Sequence, residues 1–441
     1  MFIALGRCPR SRSVFLLCVT LASLPVMTPP VSSQVPGADS LTLEAAVALA
    51  FRDSPGLRAL DARAAALNAK PSQAGALPDP VVSLNAMNLP VNTFDFGQEP
   101  MTQLQVSISQ SIPFPGKRKL RRTAAKYEAR AGAAQAEEQR GALRGLVQSA
   151  WWQVFYLDRA LEIVAQNQEL MRDFIRIAEA RYALGSGLQQ DLLLAQLELS
   201  HLRNREVRLA GRRQSATSEL NALLGRSSEY DVTLPRTPPN VRLPELPHKA
   251  DLLHRAAESR NLLQVHRELL AAADTRLALA ERDVYPDIRI AAGYSIRQGT
   301  DPLHGSRTDL VSIGLSVSIP LYHSSKQSKA IDERAHEHAQ RTLTASNTLR
   351  AVEAEIGRSL ADYESAREQV LLHEKAIIPQ AQQTVASMLA GYQVEEVDFL
   401  NVLNGQLALY NAQIHYWEAL STAKRSLAHL AAAVGMETLY E

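Results

Sequence analysis

Apolar positions along this chain follow two different periods, and each period occupies its own stretches. From Gly116 to Tyr182 there is no proline, and a seam runs Leu143, Val147, Ala150, Val154, Leu157, Leu161, Val164, Met171, Ile175 and Ala178 in alternating steps of four and three, with Gln168 its polar interruption. That is a heptad seam, the pattern of a left-handed coiled coil. At 1.5 Å per residue a helix from Lys117 to Tyr182 spans about 100 Å, so an elongated molecule is expected. Gly185, Ser186 and Gly187 break this helix, and the return segment carries its own seam through Leu192, Ala195, Leu199, Leu202, Leu209, Ala216, Leu220 and Leu223 until Gly225 stops it. A second long helix is expected from about Ser324 to Gly391, with a kink or local unwinding at Pro379 and a seam less regular than the first.

The other period is two. Leu104, Val106 and Ile108 alternate with Gln103, Gln105, Ser107 and Ser109; Ile288, Ile290, Ala292 and Tyr294 alternate with Arg289, Ala291, Gly293 and Ser295; and Val311, Ile313, Leu315 and Val317 alternate with Ser312, Gly314 and Ser316. Val82 to Leu89 gives a weaker fourth strand. The four expected strands cover about 80–89, 102–112, 286–297 and 309–320, each close to the length of a tilted strand crossing a bilayer. An antiparallel sheet with one face in water gives the same alternation. Here no further strand or short helix is available to cover the apolar face, which favours lipid as the covering. Four strands cannot close a barrel around a channel, so several copies must contribute.

The chain also repeats itself. RYALGSGLQQDLLLAQLEL at 181–199 answers GYQVEEVDFLNVLNGQLAL at 391–409 with an offset of 210 residues, and the SIP at Ser111 to Pro113 answers that at Ser318 to Pro320. A repeat this long points to two halves arranged by pseudo-symmetry rather than to a solenoid. The expected organisation is a first repeat over 34–233, a proline-rich linker over 234–249, a second repeat over 250–435 and a short tail over 436–441. The hairpin turns fall at 183–187 and 391–397.

Composition narrows the class. Arg7, Arg10 and Arg12 precede the apolar run Val14 to Leu24, and Val31 and Ser33 are small residues placed for cleavage before Gln34, so residues 1–33 read as a signal peptide. Cys8 and Cys18 both lie in that leader, which leaves the exported chain without a disulfide or thiolate site. Leu17, rather than a small residue, precedes Cys18, which argues against lipidation. No run of about twenty apolar residues follows. The formal net charge is +1 with both signs interspersed, which argues against a nucleic-acid partner.

In order and spacing, the paired strand units, the two SIP segments, the Tyr-x-x-Gly turn at Tyr182 to Gly185, Asp191-Leu-Leu-Leu-Ala-Gln and its counterpart Asn401-Val-Leu-Asn-Gly-Gln resemble TolC-type outer membrane factors. The resemblance covers essentially the whole mature chain. It implies a mainly α fold with a small β part, in which long coiled-coil hairpins continue a trimeric 12-stranded β-barrel as a periplasmic tunnel. It also implies outer membrane lipid around the barrel, a periplasmic adaptor and a proton-driven inner-membrane pump as partners, and a location in the outer membrane of a Gram-negative bacterium. Leu77 to Pro80, Asn88 to Pro90, Met101 and Pro113 to Arg118 resemble the heavy-metal cation efflux branch. Drug or protein-export ducts of the same fold stay open at this point, as do a periplasmic adaptor and a structural coiled-coil protein of the envelope.

The resemblance assigns the periplasmic gate and adaptor-docking turns to Tyr182, Gly185, Gly187, Asp191, Tyr392, Glu395, Glu396, Asp398, Asn401 and Asn404. Amides stand at Asn401 and Asn404 where related ducts often carry an acidic ring, so any acidic constriction falls to Glu395, Glu396 and Asp398. The barrel lumen is expected to be lined by Gln103, Gln105, Ser107, Ser109, Arg289, Ser312, Gly314 and Ser316. No catalytic constellation, phosphate loop or cofactor motif is apparent, and no enzyme activity or cofactor is expected. His336 and His338, two apart on a helix, do not face one another, and His304 and His323 lie near strand ends. Met87 and Met101 read as methionines in or beside strands. No metal site is expected from any of these. The basic run Lys117, Arg118, Lys119, Arg121 and Arg122 reads either as a polyanion-binding patch or as a strand-to-helix junction at headgroups or a neighbouring subunit, and both readings expect exposed side chains.

Overall fold

A computed structural model describes residues 40–238, 240–301 and 305–439. The leader with both cysteines, residue 239 of the linker, His304 and the last two residues of the tail lie outside the described residues. Among the described residues, nine α-helices and six strands follow in the order α1 (Leu43–Asp53), α2 (Pro55–Gly75), β1 (Val81–Met87), β2 (Gln103–Ile112), α3 (Lys117–Ala183), α4 (Gln189–Leu223), α5 (Lys249–Ser259), α6 (Asn261–Arg282), β3 (Ile288–Ile296), β4 (Thr300–Asp301), β5 (Gly305–Ser306), β6 (Leu310–Val317), α7 (Gln327–Leu372), α8 (Ile378–Gln393) and α9 (Phe399–Val434). A π-helical turn, His373–Ile377, joins α7 to α8. Among the described residues no helix is long and apolar enough to cross a membrane.

The heptad seam of α3 is buried as its spacing demands: Val147, Val154, Leu157, Val164, Met171 and Ala178 are all closed to solvent. Gln168 is buried as well, and its amide donates to Glu206 Oε2 on α4 at 2.8 Å, so the polar interruption ties the two arms of the hairpin together. The long helix α3 packs against α2 and α6 towards the sheet and against α4 and α9 towards the turn. Its broad middle carries the main core, where Trp151 stacks on Phe155 at 5.3 Å between centroids and Trp152 and Trp417 meet Phe155 edge-on. Burying aromatics of this size contributes several kcal/mol of apolar transfer energy. The indole of Trp151 donates to Leu41 O at 2.9 Å, fixing the entry to α1.

The second half departs from the expected irregular seam. Val352, Ile356, Ser359, Tyr363, Ala366 and Val370 of α7 are buried in steps of four and three. The heptad is therefore kept, with a serine, an alanine and a tyrosine at positions that do not look apolar in sequence. The linker is not a free tether either. Arg242 O accepts from Lys424, Pro244 O accepts from the Tyr363 hydroxyl at 2.6 Å, and Leu243 O accepts from Arg367, so it is strapped along α7 and α9.

The repeat extends to the helix ends. Gly225 and Gly435, again 210 apart, both have positive φ, of 69° and 83°. Each closes a return helix against the break between two short helices. A Cβ on Gly435 would lie 2.7 Å from Arg260 Cα and 2.8 Å from Ser259 O, and one on Gly225 would lie 3.1 Å from Asp53 O. Only glycine fits this close backbone approach in the left-handed region.

The four long strands form one antiparallel sheet in the order β1-β2-β3-β6. The segment between β3 and β6 adds a two-stranded ribbon, β4 with β5, that the alternation pattern does not announce because each of its strands has two residues. The long strands also end slightly inside their expected bounds. β1 stops where Asn88 turns to a φ of 53°, and β6 stops where Ser318 N donates to Asp287 O at 3.1 Å.

Candidate functional site

The sheet sorts its side chains by register. Leu84 pairs with Val106, Val106 with Tyr294 and Tyr294 with Val311, while Val82, Ile108, Ala292 and Ile313 make the adjoining row. This face is continuous, apolar and bare: Ile313 is 84 % exposed and Leu315 70 %. An uncovered apolar sheet face of this extent marks a surface meant for a nonaqueous or protein neighbour. The opposite face carries the expected lumen residues. Ser107, Gly293 and Ser312 share a row, as do Ser109, Ala291 and Gly314, and Arg289 lies between Ser111 and Ser316. Gln105 reaches across β3 to Ser312, with Nε2 to Oγ at 3.0 Å. It can do so because Gly293 between them has no side chain: a Cβ there would sit 2.7 Å from Ser312 Oγ and 3.0 Å from Gln105 Nε2. Gln103, at the end of β2, contacts Met87 through its amide, while Met101 in the connecting loop is exposed.

At the other end the two hairpin turns lie side by side and repeat each other bond for bond. Ser186 N donates to Arg181 O and Glu396 N to Gly391 O, both at 2.9 Å; Gly185 N donates to Tyr182 O and Glu395 N to Tyr392 O; Asp191 N donates to Leu188 O and Asn401 N to Asp398 O. Gly185 has a φ of 73°, and its counterpart Glu395 takes the same left-handed conformation at 60°. A non-glycine residue there costs on the order of 1 kcal/mol, the kind of strain found at functional turns.

Arg181 holds the turns together. Its Nη2 lies 2.7 Å from Glu395 Oε1 and its guanidinium stands 4.8 Å over the Tyr392 ring. Between the turns lies a cavity of about 320 Å3 lined by Arg181, Gly187, Asp191, Tyr392, Glu395 and Asp398 among others. Partial burial pushes the Asp191 carboxyl up from its ordinary value, and the neighbouring Asp398 charge pushes the same way, against a backbone hydrogen bond from Leu188 and the charge of Arg181. Asp191 and Asp398 are thus brought together. Glu395 is engaged by Arg181, Glu396 is exposed, and Asn401 and Asn404 are exposed on the first turns of α9. Tyr182 and Gly185 are exposed at the tip, whereas Gly187 packs against Arg181, where a Cβ would come within 2.9 Å of that side chain.

A third constellation, at the junction of sheet and helices, corrects the expectation of exposed basic side chains. Lys117 is only 3 % exposed. Its ammonium donates to Tyr285 O at 2.7 Å and Asp287 Oδ1 at 2.9 Å and lies 3.4 Å from Asp283. Arg118 likewise donates through Nε and Nη2 to Gly75 O, and Arg121 approaches Asp283. Charges drawn inward are acceptable because each finds acceptors on the other repeat or on α2. Lys119 and Arg122 stay exposed. Phe114 stacks on Tyr285 at 4.6 Å beside this clasp. The weak sequence signal was the pair Asp283 and Asp287 just before β3. His336 is exposed and His338 half-buried on α7, and His323 is exposed. Among the described residues no group of three or more His, Cys, Asp or Glu is placed to hold a metal.

A bare apolar sheet continued by two long, pseudo-symmetric helical hairpins is the subunit architecture of a TolC-like α/β-barrel channel. Residues 47–226 and 252–436 match the family described as Outer membrane efflux protein, and the chain belongs to that family. It is an outer membrane efflux protein. It is 22 % identical over 390 residues to the Cobalt-zinc-cadmium resistance protein CzcC of Cupriavidus metallidurans, covering 86 % of each chain. Among solved structures it is similar to CusC, with a TM-score of 0.73 and 18 % identity over 90 % of this chain and 93 % of that one. It is also similar to the outer membrane protein VceC from Vibrio cholerae, with a TM-score of 0.73 and 19 % identity over 89 % of this chain and 96 % of VceC.

Proposed function

We propose that this chain is the exit duct of a tripartite efflux system and that its cargo is heavy-metal cations. Three copies would place their sheets edge to edge as one 12-stranded barrel, apolar face to lipid and polar face to the lumen. The sheet order supports this, because β1 and β6 are both edges with no partner strand among the described residues, and unpaired edges in lipid are too costly to persist. The lumen residues Ser107, Ser109, Ser312, Gly314 and Ser316 are small, which suits passage without tight binding. The helical hairpins would continue the conduit to the turns, where a periplasmic adaptor docks and an inner-membrane pump supplies both energy and selection. Asp191, Glu396 and Asp398 at the turns would draw cations to the mouth.

The observation that carries the cargo is the relationship to CzcC over 86 % of each chain, since that relative's name states cobalt, zinc and cadmium resistance. The test is single-channel recording of the purified protein in a planar bilayer, with divalent cations added from the turn side, alongside metal tolerance of cells expressing the chain with a matching adaptor and pump. Discrete pores blocked by cations, with restored tolerance to cobalt, zinc or cadmium, are expected. No insertion overturns the barrel, and restored tolerance to drugs but not metals overturns the cargo.

A further inference from the structure

The π turn between α7 and α8 brings together two histidines that the channel reading does not use. Pro379 has no N–H to donate to the helix, and the chain absorbs this one turn earlier: Ile378 N–H donates to His373 O, five residues back. Turns of this kind recur at functional sites. This one sets His373 beside His415 of α9, with ring centroids 6.1 Å apart and planes inclined by 34°. Two imidazoles bound to one cation at about 2.1 Å place their centroids roughly 5–6.5 Å apart. Nδ1 of His373 is enclosed and has no hydrogen-bond partner among the described residues. His415 Nδ1 lies 3.3 Å from Glu418 Oε2, the carboxylate-to-histidine contact that fixes a tautomer and leaves Nε2 free to ligate.

We propose that His373 and His415, with Glu418 orienting the latter, form a binding site for a borderline divalent cation such as Zn2+ or Cu2+. Since no third protein ligand is in place among the described residues, water completes the coordination, and the cation exchanges readily. Glu374 and Lys375 of the π turn and Tyr416 of α9 are ionisable neighbours of the pair in sequence. A cation held here ties the π turn to α9 and so restrains any movement between the two arms of the second hairpin. The site is independent of the cargo: a duct for any substrate could carry it.

The experiment is titration of the full-length, detergent-solubilised protein, free of any polyhistidine tag, with Zn2+ at pH 7.5 against a chromophoric chelator. One site per chain in the micromolar range is expected. His415→Asn, at an exposed position that tolerates the change, should abolish that site, and Glu418→Gln should weaken it about 10-fold or more. His336→Asn, a control on α7, should leave it unchanged. Cu2+ bound to the wild type should show magnetic coupling to two imidazole nitrogens, reduced to one in His373→Asn. Binding that survives His415→Asn, or a wild type that takes up no zinc below millimolar concentration, overturns the site.

Discussion

Replacing Lys117 by Met should loosen the junction where the sheet passes into the helices. Lys117 is 3 % exposed, and its ammonium spends its donors on Tyr285 O at 2.7 Å, Asp287 Oδ1 at 2.9 Å and Asp283 at 3.4 Å. Breaking a fully buried ion pair costs about 3–5 kcal/mol. Asp287 and Asp283 keep 35 % and 44 % of their side-chain surface exposed, so water will rehydrate part of what Lys117 leaves behind. The charge-assisted hydrogen bond from the ammonium to Tyr285 O adds about 1.5–3 kcal/mol, while Met escapes the cost of desolvating a buried charge, which is several kcal/mol. A net loss of about 2 kcal/mol follows, read as a fall in the thermal midpoint of the detergent-solubilised protein. Asp287→Asn added to Lys117→Met should recover part of the loss, because the second change removes the stranded charge. The effect should also depend on pH. Burial pushes the Asp287 carboxyl up, but the Lys117 and Phe114 hydrogen bonds and the Lys117 and Arg121 charges outweigh it and hold it below its ordinary value. Its contribution is therefore present above about pH 4 and lost as pH falls through the depressed value. Equal stability of wild type and Lys117→Met at pH 7, or a double variant less stable than the single one, would refute the clasp.

Three further outcomes are expected. Gly435→Ala should cost about 2–4 kcal/mol, from the left-handed backbone and from the clash with Arg260 and Ser259, and Gly225→Ala less, because its nearest atom is farther; thermal midpoints that rank the two the other way contradict the packing. Burial lowers the Lys424 ammonium to about 8, so the folded chain binds fewer protons than the unfolded one between about 8 and 10.5. Wild-type stability should therefore rise with pH across that window, with the penalty fully present below it, and Lys424→Met should lack that rise; identical pH slopes for the two proteins would rule this out. Arg181→Ala removes the contact between Glu395 and Tyr392 of one turn and the end of the other, so single-channel recordings should show more frequent or larger openings with stability little changed, and unaltered conductance would show that Arg181 does not hold the mouth.

What was legible in the sequence was whatever a local period can encode. The seam through Val147, Val154, Val164 and Met171, the alternation in β2, β3 and β6, the turn at Gly185 and the unwinding near Pro379 each follow from side chains a few residues apart, whose spacing alone fixes which face they share. The repeat between 181–199 and 391–409 was equally plain, and it foretold two turns that match at the level of single hydrogen bonds. The limits appeared where partners come from far along the chain. Lys117 looked like part of an exposed basic run because its neighbours are basic. Its acceptors at Tyr285, Asp283 and Asp287 lie more than 160 residues away, and only the antiparallel pairing of β2 with β3 brings them to it. Ser359 and Tyr363 hid a regular seam, since a buried hydroxyl is acceptable once a partner such as Pro244 O is at hand, and no local pattern reveals that partner. The same holds for His373 and His415, on helices that meet only after the hairpin has closed. Periodicity belongs to neighbours in sequence and determines the elements, whereas burial of charge and the meeting of ligands depend on distances between those elements, which only the folded chain sets.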